Sequence, residues 1–394
     1  MSERDFEVVV YGASGYTGRL VAEYLHGEYG EALRFAMAGR SPGKLERVRA
    51  EIGLPDSVAL IEADSDDPDS LAALCARTRC VITTVGPYQL HGEPLVAACV
   101  ASGTDYVDLS GEPAWMRDMI ERYDAEARRT GARIVHSCGF DSIPFDLGVF
   151  MLQQEAKKSR GAPFAQVRGR VRKMQGTFSG GTAASFMETM KRAGRQPEIL
   201  DWLKDPFSLT PGFEGPKQPT GHKPVLDEDI GSWAAPFIMA SINTKNVHRS
   251  NALMDHAYGT DFTYDEMVMT GPGERGKMAA EHVAKQDAFG KNPPKPGEGP
   301  TKEEREAGFY EAAFYGGSGA DMMVSVVAGD KDPGYGSTSK MIAEAALCLT
   351  RDVDREQTPG GVYTPAAAMG EALIKRLQER AGLTFRMEKF EAAA

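Results

Sequence analysis

Apolar positions change period repeatedly along the first part of the chain, and each change marks an element. FEVVVY at residues 6–11 is a short apolar run rich in β-branched residues, as a buried strand requires. RLVAEYL at 19–25 has apolar positions at helical spacing, and GASGYTG lies between, with Gly12, Gly15 and Gly18 three residues apart. ALRFAMAGRSPGKLERVRAEIG predicts a strand, a Gly39-Arg40-Ser41 turn and a helix from about Pro42. SVALIEADSDDPDSLAALCARTRCVITTVGPY predicts a third strand to about Ala63, a helix from about Pro68 and a fourth strand ending at Gly86-Pro87. LHGEPLVAACVASGTDYVDLSGE and AWMRDMIERYDAEARRTGARIVHSCGF each add a helix and a strand. Strands alternating with helices predict an α/β fold with a Rossmann-type, doubly wound parallel sheet.

The alternation stops near Phe150. QVRGRVRK at 166–173 sets Arg168, Arg170 and Arg172 alternately with small or apolar residues, a strand with one basic face. SGGTAASFMETMKRAG predicts a glycine turn and a helix from near Thr182. FIMASINT, FTYDEMVMT, FYEAAFYG and MMVSVVAGD read as strands, so an inserted α+β substrate domain built on a mostly antiparallel sheet is expected. Pro/Gly-rich loops at about 205–224 and 290–301 do not read as domain linkers. STSKMIAEAALCLTRD and TPAAAMGEALIKRLQERAG are helical patterns too short to bury a core of their own, so they are expected to return to the N-terminal unit. The expected domains are 1–148, 149–335 and 336–394.

Composition narrows the function classes. A chain of 394 residues suits two domains. A net charge of -11 argues against nucleic-acid binding. Five cysteines without framework spacing suit reduced thiols in a cytoplasm, with a peripheral position at the inner membrane as the alternative. No CxxC or HExxH spacing occurs, so no metal is expected. MSERDFEV is too charged and short for a signal peptide, and no apolar run reaches the ~18 residues of a membrane span. Composition leaves the oligomeric state open.

The glycine turn between strand and helix predicts a dinucleotide site. Gly12 lets the chain turn off the strand, Gly15 lets backbone approach a pyrophosphate, and Gly18 lets the helix pack close. First-turn N–H groups then face the anion, with Ser14, Tyr16 and Thr17 in the same turn. After the second strand, NAD-binding folds place an acidic residue for the ribose 2′-hydroxyl. Here Arg40 stands instead, with Ser41 beside it and Lys44 one turn on. Guanidinium and hydroxyl suit a 2′-phosphate, so NADP is the expected cofactor. The alternative is that Arg40 is a solvated loop residue. Asp64 is placed either to read an adenine edge or to cap a turn. Thr84, Gly86 and Pro87 follow the fourth strand, where backbone is expected to line the nicotinamide ribose.

GASGYTG, AGRSPGKL, TTVGPYQLHGEPLVAAC, GTDYVDLSGE, GARIVHSCGFDSIPFDLG, KDPGYGSTSKM and GGVYTPAAAMGEAL, in that order over nearly the whole chain, resemble the saccharopine dehydrogenase-like oxidoreductases. Within them the chain is most similar to the actinobacterial trans-acting enoyl reductases. The resemblance implies an NADP-binding Rossmann domain and a substrate domain inserted before the last helices. It implies reduction of a double bond that a polyketide synthase lacking its own reductase leaves in a lipid precursor. The implied partners are a small-molecule or carrier-bound acyl substrate and an acyl carrier or polyketide synthase. Relatives often carry a long apolar segment before the Pro-rich loop. The corresponding GPGERGKMAAEHVAKQDAFGKNPPKPGEGP is polar, which speaks against membrane association through it.

Enoyl reduction needs hydride at the β-carbon, a donor toward the enolate oxygen and a proton at the α-carbon. Tyr88 and His91, at the carboxyl edge of the sheet, are the candidate donors; the alternative is that Tyr88 packs on the cofactor and His91 starts a helix. Cys138 is a candidate nucleophile or a small buried thiol. Asp141 and Ser142 read as helix caps, and Glu112 as a weaker acid candidate. Arg168, Arg170 and Arg172 could meet phosphopantetheine or an acidic carrier, or form a solvated face. The competing functions are saccharopine-type reductive C–N chemistry, which needs cations for substrate carboxylates, and non-catalytic NADP binding.

Overall fold

The computed structural model describes residues 4–176, 180–286 and 297–390. Ser179 of the expected glycine turn and most of the 290–301 loop lie outside them. The strands are β1 (Phe6–Tyr11), β2 (Phe35–Gly39), β3 (Ala59–Glu62), β4 (Thr78–Thr83), β5 (Asp105–Val107), β6 (Arg133–Val135) and β7 (Gln166–Gln175). They continue with β8 (Val225–Asp227), β9 (Ser232–Pro236), β10 (Thr263–Gly271), β11 (Phe309–Gly316), β12 (Met323–Gly329), β13 (Gly361–Tyr363) and β14 (Leu383–Glu388). Among the described residues these make two seven-stranded sheets.

The first sheet runs β13-β6-β5-β4-β1-β2-β3, parallel throughout. Val8, Val9 and Val10 are fully buried at its centre, as a β-branched run covered on both faces must be. Strand order reverses between β1 and β4, which opens a crevice beyond their carboxyl ends. The second sheet runs β14-β12-β11-β7-β10-β9-β8, antiparallel except for β7 with β10.

Two sequence expectations are corrected here. FIMASINT is not a strand: the chain enters a helix, Ala240–Leu253, in the middle of it. That helix is buried nearly all round, and its polar side chains find partners on both units. Burial, with Asn243, Asn246, Arg249 and Ser250 bonded to other elements, overrides the local apolar run. The basic face of β7 is neither solvated nor offered to a partner. Arg168 pairs with Asp227 and Asp229, Arg170 with Asp227 and Asp265, and Arg172 with Glu311 and Glu388. Opposed carboxylates on neighbouring elements, invisible in the alternation of β7, absorb all three.

Past Gly336 the chain binds to both sheets. Helix Thr338–Arg351 packs on helix Tyr16–Tyr29. The fully buried Glu344 accepts from Tyr24, Tyr29 and Arg376, the last on helix Pro365–Arg380. β13 then extends the first sheet and β14 the second, and neither strand is foreseen from sequence. The polar segment after β10 starts with a helix, Gly273–Val283. Among the described residues no helix is long and apolar enough to cross a membrane, and no group of three or more His, Cys, Asp or Glu could hold a metal.

Candidate active site

The turn after β1 is built for close approach. Gly12 has φ 87°, and a Cβ there would lie 2.7 Å from Val85 Cγ2 and 2.9 Å from Thr84 Oγ1. Both the left-handed backbone and the contact require glycine. A Cβ on Gly18 would lie 2.3 Å from the Gly12 carbonyl oxygen, so helix Tyr16–Tyr29 packs directly on the strand end. Gly15 is exposed, and no side chain caps the helix it precedes. The uncapped first-turn N–H groups therefore suit an anion. Ser14 stands beside the end of β2, where its Oγ would be 3.9 Å from a Cβ on Gly39. Arg40, Ser41 and Lys44 follow β2 and are exposed, and the Arg40 guanidinium makes no ion pair or side-chain hydrogen bond among the described residues. This cradle, with free cations at the ribose end, fits a phosphorylated dinucleotide. Asp64 is turned inward on its own loop: its Oδ1 accepts from Asp66 N at 3.1 Å. That is the turn-capping alternative.

A segment of the second unit is fastened across this turn. Tyr16 OH donates to the Pro300 carbonyl, and Arg305 donates to both at 2.6 and 2.9 Å. Tyr335 OH donates to the Glu298 carbonyl at 3.0 Å, and its ring packs edge-on against Tyr16.

Between the two units lies a cavity of about 400 Å³. Gly15, Tyr16, Thr17, Thr84 and Gly86 line it from the dinucleotide side. Phe186, Leu203, Ile238 and Ile242 form an apolar wall opposite. A lobe of about 100 Å³ continues it, and Thr17, Leu109, Asp141 and Met239 line both. Among the described residues neither lining contains a lysine, arginine or histidine, and Asp141 is the one carboxyl.

The candidate donors fare differently. The Tyr88 hydroxyl donates to the Thr83 carbonyl at 3.1 Å and accepts from Leu109 N at 3.0 Å. Its one proton faces backbone, and burial pushes the phenol well above its usual range. Tyr88 lines the cavity, but its one hydroxyl proton is committed to the Thr83 carbonyl rather than left for a substrate. His91 ends the short helix Tyr88–His91 and is not in the cavity lining; Pro87 is the residue before that helix. Glu112 accepts from Tyr88 N, Gln89 N and Ser185 Oγ at 2.7–2.9 Å, tying helix Gly180–Ala193 of the second unit to the first. It too is occupied, although burial raises its carboxyl. Cys138 is fully buried, and burial pushes its thiol well above the usual value, which disfavours a thiolate there.

Asp141 and Ser142 behave unlike the caps they read as. Asp141 lines both lobes of the cavity, its carboxyl has no hydrogen-bond partner among the described residues, and burial raises it to about 7. Ser142 Oγ turns away, donating to Asn243 Oδ1 at 2.7 Å and accepting from Asn246 Nδ2 at 2.8 Å. Asn243 Nδ2 donates to Glu266 Oε2 at 2.9 Å, and burial raises Glu266 to about 8. The carboxyl-edge position of Asp141 was legible in the sequence; its lack of a partner was not. No sequence signal marked Ile238 and Ile242 as cavity wall, because their segment read as a strand.

Residues 8–135 match the saccharopine dehydrogenase NADP-binding domain. The chain is 41% identical over 403 residues to a candidate trans-acting enoyl reductase of Mycobacterium tuberculosis, covering 95% of this chain and 96% of that one. It is 37% identical over 405 residues to the trans-acting enoyl reductase of Mycobacterium ulcerans, covering 96% and 97%. Among solved structures, saccharopine dehydrogenase (L-Glu forming) from Saccharomyces cerevisiae superposes over 97% of this chain and 99% of that chain, with TM-score 0.56 at 12% identity. At that identity the likeness is one of fold.

Proposed function

The chain belongs to the trans-acting enoyl reductases of the saccharopine dehydrogenase-like family and is an NADP-dependent oxidoreductase, and from that premise we propose that it reduces the C=C bond of an enoyl thioester. The observation that carries this reading is the cavity itself, an apolar-walled space beside the dinucleotide turn with no cation among its described lining residues. A keto acid paired with an amino acid brings carboxylates, and burying them without cations costs several kcal/mol or more. A thioester is neutral and carries apolar substituents, which the wall of Leu203, Ile238 and Ile242 accepts.

In this reading Gly12, Ser14, Gly15, Tyr16, Thr17 and Gly18 hold the pyrophosphate side of the cofactor. Arg40, Ser41 and Lys44 hold the 2′-phosphate, and Thr84, Gly86 and Pro87 border the nicotinamide side. NADPH, when bound, supplies the hydride. The apolar wall excludes water from the reacting bond, and the Tyr88 ring with Glu112 fixes the loop beyond β4. We assign the substrate to a carrier-bound acyl chain presented by a separate synthase. The name of the relatives supports this, as do Phe186, Met187 and Met190, exposed on the helix that walls the cavity. The five buried, unpaired cysteines support a reducing cytoplasm.

The test offers NADPH with enoyl thioesters, free and carrier-bound, against keto acids with amino acids. The expected result is cofactor oxidation and a product two hydrogens heavier with an enoyl thioester alone. Turnover of a keto acid with an amino acid, and of no enoyl thioester, overturns the reading.

A further inference from the structure

The interior of this protein contains several carboxyls, and those that hold the fold are saturated. Glu112 accepts three hydrogen bonds. Asp146 accepts from Ser250 Oγ and Ala366 N. Glu266 accepts from Asn243 and Tyr264. Glu344 accepts from two tyrosines and an arginine. Asp141 differs from them: it is half-buried, its carboxyl makes no hydrogen bond or ion pair among the described residues, and it stands where the two lobes of the cavity meet.

Its position is nevertheless fixed from behind. Ser142 N donates to the Ser137 carbonyl at 2.9 Å, and the Ser142 hydroxyl is held between Asn243 and Asn246. The backbone at Asp141 is thus clamped while its side chain is left open to whatever fills the cavity. The other ionisable side chains among the described lining residues, all tyrosines, have their protons engaged. Tyr16, Tyr88 and Tyr335 each donate to a backbone carbonyl, of Pro300, Thr83 and Glu298 respectively.

Building on the enoyl reductase reading, we propose that Asp141 is the proton donor to the α-carbon of the substrate. As the β-carbon gains hydride, the C=C π bond breaks and the α-carbon becomes the basic centre of an enolate. The Asp141 O–H bond breaks and a C–H bond forms at the α-carbon, leaving the Asp141 carboxylate and a saturated thioester. The carboxylate then takes a proton from solvent before the next turnover. Burial keeps the acid form available near neutral pH, at about 7. Glu266 on β10 is the charge-bearing neighbour, raised to about 8 mainly by burial and also by the Asp141 charge. Thr17, Leu109, Thr182, Ile242 and Thr338, from the other elements around the two lobes, do not ionise in this range.

The experiment compares the full-length wild type with Asp141→Asn and Asp141→Glu. Asp141→Asn is expected to bind NADPH within about twofold of wild type, which also shows it folded, while kcat for an enoyl thioester falls about 10²-fold or more. Asp141→Glu regains about tenfold over the asparagine variant. Wild-type kcat falls as pH rises through about 7, and that fall is absent in Asp141→Asn. A kcat in Asp141→Asn within about threefold of wild type, or the same pH profile, overturns the proposal. A second readout needs no turnover: a protonated-carboxyl band in pH-difference infrared spectra, lost in Asp141→Asn and perturbed when a saturated acyl thioester binds. Absence of that band overturns the donor assignment by itself, whereas a wild type that shows the band yet reduces no enoyl thioester overturns the functional reading.

Discussion

Arg40 meets solvent at the end of β2 without an ionic partner among the described residues, so its charge is available to a ligand. Arg40→Ala is expected to weaken NADPH about tenfold, ~1.4 kcal/mol, and to leave NADH nearly unchanged in a binding titration. Equal losses for both cofactors would place Arg40 outside the 2′-phosphate site. Tyr88→Phe tests the opposite kind of residue. It strands the Thr83 carbonyl and the Leu109 N–H, so it should cost about 1–3 kcal/mol of stability, seen in the melting temperature. Turnover per folded molecule should stay close to wild type; a hundredfold loss would return Tyr88 to the chemistry. The two residues also show what a sequence reveals. Arg40 stands out in sequence because it replaces an expected charge at a fixed place in a fold. Tyr88 is harder to read, because a phenol beside a cleft looks the same in sequence whether its proton faces ligand or backbone.

At the scale of elements, glycines on one helix separate close packing from mere presence. Gly18→Ala drives a Cβ into the Gly12 backbone, which has no soft neighbour to yield. NADPH affinity is expected to fall more than about tenfold. Gly27→Ala on the same helix meets open space and should gain up to about 1 kcal/mol of stability with affinity unchanged. If both variants bind alike, the turn does not carry the pyrophosphate. The alternating period of the first unit was legible because its central strands are buried on both faces, as Val8, Val9 and Val10 are, and its helices present one apolar face. The helix Ala240–Leu253 was not, because its polar residues make sense only against Ser142, Asp146 and Glu266 from distant parts of the chain.

For the whole molecule, pH acts through groups packed between the two units. Burial raises Asp141 and Asp146 to about 7 and Glu266 to about 8, so the folded chain holds protons that the unfolded chain releases near pH 4. The stability they contribute is full below about pH 4, is lost progressively as pH rises from there, and is gone once pH has passed through 7 to 8. His248, lowered to about 3 mainly by burial, acts in the other direction, but only below its usual 6.5. The melting temperature should therefore fall from about pH 6.5 to 8, and Glu266→Gln should flatten that fall. A melting temperature that climbs over this interval would show that these carboxyls ionise freely. We keep the boundaries near 148 and 335 as a proposal for this two-unit body, whose last residues belong to both sheets.

The fastening of Pro300 and Arg305 onto Tyr16 has a kinetic consequence. A molecule lodged under a strap that is tied to its own binding turn leaves only when the tie opens, while an acyl chain along the far wall exchanges without disturbing it. Catalysis then becomes a queue in which the nucleotide arrives first and departs last. Product inhibition should show it: oxidised cofactor competitive against reduced cofactor, the saturated thioester noncompetitive. Tyr16→Phe, by removing the hydroxyl at the knot, should speed nucleotide release and let the order lapse toward random.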